Sequence, residues 1–287
     1  MNVYPLKFPL GPLEVTGYGL MLMVAFLMGG WLIARQLREA GFKEDYAADI
    51  IAASVIGGIV GAKLWYVALT GDPGAILSRG GLVWYGGFIG GAIAVILNSW
   101  RLRVPLRWTM QLAAPALAAA YALGRVGCFL VNDDYGRPTD LPWGVRFPDG
   151  LPISNAENLK NLFGVPVPAG IDPATVLAVH PTQLYEAAAM LLVFAILWSF
   201  RKRGMPVGWV FGLYLIFAGI ERFLVEILRA KDDRFLGPFT LAQLTSVIVV
   251  VVGVILVIVW RKASDPAPGL YLETGRKPAA SKISTAS

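Results

Sequence analysis

Seven stretches of this chain stay apolar for close to twenty residues each, and they limit its fold more than any other feature. They run roughly over 18–37, 48–69, 82–100, 109–131, 183–200, 207–228 and 240–260. A helix needs about 20 apolar residues to cross a hydrocarbon layer about 30 Å thick. The chain is therefore expected to be an all-α polytopic membrane protein with about seven transmembrane helices. Composition points the same way: 15% of the 287 residues are charged, whereas a soluble domain carries about 25%. The last stretch, Val247 to Trp260, is almost pure Val and Ile and is expected to face lipid. The first has no basic region ahead of it and is too long for a cleaved signal peptide, so it is expected to be retained.

Basic residues in the connections orient such a bundle. Those after spans 1, 3 and 5 hold Arg35, Arg38, Lys43, Arg101, Arg103, Arg107, Arg201, Lys202 and Arg203, and Arg261, Lys262, Arg276, Lys277 and Lys282 follow span 7. The opposite connections hold fewer, and half of those lie in or beside one long loop, which weighs little. The N-terminus is expected outside and the C-terminus in the cytoplasm. The long polar stretch between spans 4 and 5, about 132–180, reads as a small periplasmic head. Residues 1–262 then make one seven-span membrane domain including that head, and 263–287 a disordered cytoplasmic tail. No internal repeat is evident, which weighs against a transporter built on inverted repeats.

A single cysteine, Cys128, excludes an intramolecular disulfide, and a single histidine, His180, argues against a metal cluster. No metal or cofactor is expected. The net charge of +6 does not point to nucleic acid, because the basic residues flank apolar runs and serve as topology signals.

Three basic residues, Lys63, Arg125 and Arg222, fall inside expected spans. A charge there costs several kcal/mol and normally faces a partner or a wet cavity. Arg222, Glu226 and Arg229 follow i, i+4, i+7 spacing on one helix face. Glu226 can simply neutralise an arginine as a structural pair. Alternatively, three arginines against one glutamate leave uncompensated positive charge that calls for an anion. Guanidinium forks suit phosphate, so a phospholipid headgroup is the natural candidate. Lys63 either snorkels to the interface or adds to that pocket. The six glycines between Gly80 and Gly91 either allow close helix packing or let backbone approach a ligand beside Tyr85. His180-Pro-Thr-Gln-Leu-Tyr-Glu186 opens span 5, and its set of His180, Gln183, Tyr185 and Glu186 is denser than helix capping needs.

At these motifs the sequence resembles the prolipoprotein diacylglyceryl transferase family. The stretches that carry the resemblance are Tyr18-Gly-Leu-Met, Gly61-Ala-Lys-Leu-Trp-Tyr66, Gly80-Gly with Tyr85-Gly-Gly, and Gly124-Arg-Val-Gly. Tyr135-Gly-Arg137, the His180–Glu186 run, Arg222 with Val225-Glu226 and Arg229, and Gln243 complete the set in family order. The resemblance implies a bacterial plasma-membrane enzyme with two partners, phosphatidylglycerol and prolipoprotein signal peptides bearing a lipobox cysteine. It implies transfer of diacylglycerol to that cysteine as a thioether, with release of glycerol 1-phosphate. Arg125 and Arg222 match the family's two essential arginines, and Tyr18, Asp133 (a glutamate in the family), Gly136 and Glu226 match other functional positions. Lys63, Arg137, Gln183, Tyr185 and Arg229 lie in the shared motifs and are expected to contact substrate. Tyr85 stands where the family usually has a histidine, and Cys128 where it has an asparagine.

The expected chemistry is displacement of phosphate from a glycerol carbon by a thiolate, which nearby cations favour. Arg125 and Arg222 would hold the phosphate, with Tyr85, Glu226 or His180 handling the proton. The rival readings are a non-catalytic lipid-binding or lipid-moving protein that kept the pocket, and a small-molecule transporter.

Overall fold

A computed structural model of the chain describes residues 1–11, 13–77, 81–230, 234–236 and 239–273. The elements are β1 (Lys7–Leu10), β2 (Leu13–Thr16), α1 (Gly17–Ala40), α2 (Asp45–Thr70), α3 (Trp84–Arg101) and α4 (Leu106–Leu130). There follow α5 (Ala156–Asn161), α6 (Thr182–Phe200), α7 (Trp209–Glu226), β3 (Arg234–Leu236), β4 (Phe239–Thr240) and α8 (Leu241–Lys262). The strands form two local antiparallel hairpins, β1 with β2 and β3 with β4.

Every helix but α5 falls on one of the apolar stretches. Five of them, α1, α2, α4, α6 and α8, are long and apolar enough to cross a membrane. The chain is thus a helical multi-pass membrane protein, with five of the seven expected spans meeting that standard. The other two fall short for legible reasons. Helix α7 carries Glu221, Arg222 and Glu226, and α3 closes on Asn98-Ser99-Trp100-Arg101. Helix ends follow local chemistry. Gly71 stops α2 at φ +69°, its N–H bonding to Val67 O. Thr240 and Gln243 form a reciprocal capping box that starts α8, which gives Gln243 a local role.

The chain divides into two compact units, Met1–Met28 with Ala114–Ala263, and Gly29–Ala113 with the residues from Ser264 onward. In the second unit, α2 and α3 lie backbone against backbone. A Cβ added to Gly61 would collide with Gly86 O, and one added to Gly90 with Gly57 O. Only glycine permits that approach, so Gly86 and Gly90 of the glycine-rich run have a packing role in this pair. The hydroxyl of Tyr46 meets Ser99 Oγ at 3.0 Å and Thr109 Oγ1 at 2.6 Å, tying α2, α3 and α4 together. Residues 264–273 are packed here. Leu272 is fully buried, Trp108 Nε1 donates to Pro266 O at 3.0 Å, and Tyr271 OH bonds to Asp49 Oδ2. The disorder expected from Ala263 therefore does not begin there, and residues 274–287 lie outside the described residues.

In the first unit, Ala114, Ala118 and Ala122 of α4 pack against Met190, Val193 and Leu197 of α6 and Val210 of α7. Gly212 and Gly253 let α7 meet α8 closely. Outward from α8, Val247, Ile248, Val251, Ile255 and Ile258 are exposed, as a lipid-facing surface requires. The long connection after α4 has a small core of its own, built on Tyr135, Val145, Phe147, Leu159, Val165 and Val179. Within it α5 is capped by Asn155, whose side chain accepts from Asn158 N.

Candidate active site

The polar centre of the first unit is assembled from the end of α4, the turn beyond it, the start of α6 and the end of α7. Arg125 projects from α4 one turn after Tyr121. Its Nε lies 2.7 Å from Glu186 Oε2, and its Nη1 lies 3.0 Å from Asp134 Oδ2. Tyr121 OH donates to the same Glu186 oxygen at 2.7 Å and accepts from Arg125 Nη2 at 3.2 Å. The second Asp134 oxygen takes Arg229 Nη2 at 2.5 Å. Arg229 Nε reaches toward Glu226 Oε2 at 3.8 Å, and Arg222 Nη2 pairs with that oxygen at 2.7 Å. The three arginines are thereby threaded on two carboxylates, in the order Arg125–Asp134–Arg229–Glu226–Arg222.

This arrangement corrects two expectations. The arginines are not left uncompensated by a single glutamate, since Asp134 and Glu186 also pair with them. Arg229 is not on the helix, because α7 ends at Glu226; it sits in the following turn, bridged to Gly136. Unsatisfied groups remain inside the cluster. Arg222 Nη1, Glu186 Oε1, Glu221 Oε1 and Gln183 Oε1 are buried without a hydrogen-bond partner among the described residues. Such groups cost free energy unless something pairs with them.

Backbone contacts hold the turns that carry these side chains. Gly136 N donates to His180 O at 2.9 Å, Arg137 N to Leu228 O at 2.8 Å, and His180 N to Arg137 O at 3.0 Å. A Cβ on Gly136 would lie 2.7 Å from Leu228 O and from Thr182 Cγ2. Gly136 thus has a packing reason to be glycine. Arg137 Nε binds Arg229 O at 3.1 Å, and Gln183 Nε2 binds Asp133 O at 2.6 Å. Tyr18, at the start of α1, lies over Gly127, where a Cβ would come within 3.2 Å of its Cα and Cδ2.

The two neighbouring aspartates differ in charge environment. Burial alone would raise the Asp134 carboxyl, but the Arg229 and Arg125 guanidiniums outweigh it and hold it below the usual range. Asp133 is raised, by desolvation and then by Asp134 itself.

The His180 and Tyr185 side chains lie against each other. The Tyr185 hydroxyl accepts from Trp143 Nε1 at 2.7 Å and lies 3.4 Å from His180 Nδ1. Tyr185, Trp143, Phe129, Leu184 and Met1 line an apolar recess of about 580 Å³. Desolvation lowers the His180 pKa from its ordinary value. Lys63 and Tyr85 belong to the second unit. Lys63 Nζ lies 6.0 Å from the Tyr66 ring centre, and Tyr85 is exposed at the start of α3, edge-on to Trp84.

Sequence reasoning missed Asp134, Tyr121 and Glu221 as members of this cluster. Glu221 was detectable by the cost of a charge within a span, the argument applied to the arginines.

The family model for prolipoprotein diacylglyceryl transferase matches residues 5–259. The chain belongs to that family. A relative in Clostridium tetani, named phosphatidylglycerol–prolipoprotein diacylglyceryl transferase, is 32% identical over 87% of this chain and 95% of its own length. Relatives with the same name in Nitratidesulfovibrio vulgaris and Nitrosomonas europaea are 32% and 33% identical. They cover 90% and 83% of this chain, and 93% and 81% of their own lengths. In a chain of this family the threaded arginines are the feature that calls for explanation.

Proposed function

We propose that this protein transfers the diacylglyceryl group of phosphatidylglycerol to the cysteine of a prolipoprotein, forming a thioether and releasing glycerol 1-phosphate. The observation that carries the reading is the part-buried arginine thread in a chain of the diacylglyceryl transferase family. In the step itself, the thiolate attacks the glycerol carbon bearing the phosphate. The C–S bond forms as the C–O bond breaks, and that electron pair goes to the phosphate oxygen. Arg125 and Arg222 hold the phosphate, the free Nη1 of Arg222 offering it a donor, and they stabilise the charge that grows there. The thiol proton passes to His180, Glu226 or Tyr85. Tyr18, Asp133, Gly136, Arg137, Gln183 and Arg229 shape the headgroup side, and Lys63 and Tyr185 serve substrate binding.

The deciding experiment combines membranes holding the protein, phosphatidylglycerol and a lipobox peptide, and weighs the peptide. A diacylglyceryl mass on the cysteine is expected. Headgroup binding without that mass supports a non-catalytic lipid-binding protein, a reading that Tyr85 at the family's histidine position favours.

The orientation is part of the proposal: seven spans, N-terminus outside, with the head at residues 132–180 on the outer face of a bacterial plasma membrane. Lys160→Cys should react with an impermeant thiol reagent on whole cells. Reaction only after permeabilisation would reverse the orientation.

A further inference from the structure

Asp134 holds an odd position for a carboxylate. It sits in the turn after α4 at φ +64°, a left-handed backbone that non-glycine residues seldom adopt. One of its oxygens meets Arg125 Nη1 at 3.0 Å and the other Arg229 Nη2 at 2.5 Å. Two guanidiniums converging on one small anion is the geometry with which arginines bind phosphate. The carboxylate is also accessible. Asp134 is part-exposed and shares with Arg229, Asp133, Tyr135 and Phe163 a cavity of about 180 Å³. Glu226, the other link of the thread, is buried.

We propose that Asp134 is an internal competitor for the phosphate: its carboxylate occupies Arg125 and Arg229 in the empty site, yields them to the lipid phosphodiester, and retakes them as the phosphomonoester leaves. This rests on the transferase reading. Charge makes the return useful. A phosphodiester carries one negative charge, whereas a phosphomonoester carries about −1.5 to −2 at pH 7. The product is therefore the stronger ligand for the guanidiniums, and a tethered carboxylate at the same forks favours its departure. Asp134 is equipped to compete throughout the neutral range. Burial pushes its carboxyl up, but Arg229 and Arg125 outweigh that and keep it ionised. Its backbone is held independently of the side chain. Thr182 Oγ1 donates to Asp134 O at 3.0 Å, and Asp134 N donates to Asp133 Oδ1 at 2.7 Å.

The test is calorimetric titration of glycerol 1-phosphate into the purified full chain, comparing wild type with Asp134→Asn and Asp134→Gly. Asparagine keeps the shape without the charge, and glycine adopts positive φ without strain, so a gain shared by both is not a backbone artefact. A carboxylate that occupies the arginines nine-tenths of the time weakens apparent affinity about tenfold. Both variants are therefore expected to bind glycerol 1-phosphate about tenfold more tightly. In turnover, KM for phosphatidylglycerol and kcat should fall together, because product stays longer. Equal or weaker binding in both variants overturns the proposal and makes Asp134 a positioning residue for the arginines. Because the titration needs no turnover, a wild type that fails to transfer diacylglycerol would sink the transferase reading separately.

Discussion

The α2–α3 pair and the α4–α6–α7 cluster solve opposite packing problems. The first brings backbones together by omitting side chains, at Gly57, Gly61, Gly86 and Gly90. The second buries ionic side chains: Glu186, Glu221, Glu226 and Arg229 are each less than a tenth exposed. Close glycine packing in a membrane is gained without desolvating charge. Buried ions cost several kcal/mol each even after relaxation, and pairing only partly repays them. Stability alone would be served as well by an apolar cluster, so the charged one is the region whose cost needs a function. Gly57, Gly61, Gly86 and Gly90 are accounted for by packing.

That contrast can be broken at its structural end first. Gly61→Leu places a branched side chain where even a Cβ collides, and the expected result is loss of monodisperse protein in detergent. Gly124→Ala in α4 is the control, since a Cβ there meets nothing within 4 Å and should leave folded yield unchanged. A normally folded Gly61→Leu would mean that α2 and α3 do not approach as described.

Tyr85 tests whether the glycine-rich pair contributes chemistry as well as packing. Tyr85→Phe keeps the ring and removes only the hydroxyl. A fall in transfer rate of roughly a hundredfold, with little loss of folded protein, is expected if the hydroxyl assists proton movement. Tyr85→His should retain or raise the rate. If Tyr85→Phe matches wild type while His180→Ala or Glu226→Gln is inactive, proton handling lies with one of those groups.

The smallest effect is on stability in acid. Asp134 has a lowered folded pKa, so its ion pairs stabilise the fold fully above the unfolded carboxyl value of about 3.9 and are lost as pH falls through the folded value. Asp134→Asn should cost about 1–2 kcal/mol near neutral pH, discounted because the side chain is 36% exposed. The gap between variant and wild type should close below about pH 4. A gap that persists unchanged at pH 3 would show that the aspartate does not act through its charge.

The helices were readable from sequence because one physical quantity, apolar length, decides them; even α3 and α7 sit where expected. The arginines were readable because a lone cation in an apolar run is conspicuous. Their partners were harder to see. Asp134 reaches Arg125 and Arg229 only through a left-handed turn and a loop closure that no spacing rule encodes. Glu186 was visible in its motif, but its pairing with Arg125 crosses from α6 to α4. Glu221 was overlooked beside Arg222 because adjacent residues on a helix point apart. The packing role of the glycines stayed open until α2 was seen to supply matching ones.

The central claim is that the arginine thread receives the lipid phosphate, and transfer by Arg125→Ala and Arg222→Ala tests it most directly. The measurement is diacylglyceryl mass on a lipobox peptide per unit of folded, membrane-inserted protein, with Arg→Lys at each position alongside. Each alanine variant should lose transfer, and each lysine variant should recover it only in part, because a point charge does not reproduce the bidentate fork. Wild-type transfer by either alanine variant, at equal folded yield, would contradict the claim for that arginine.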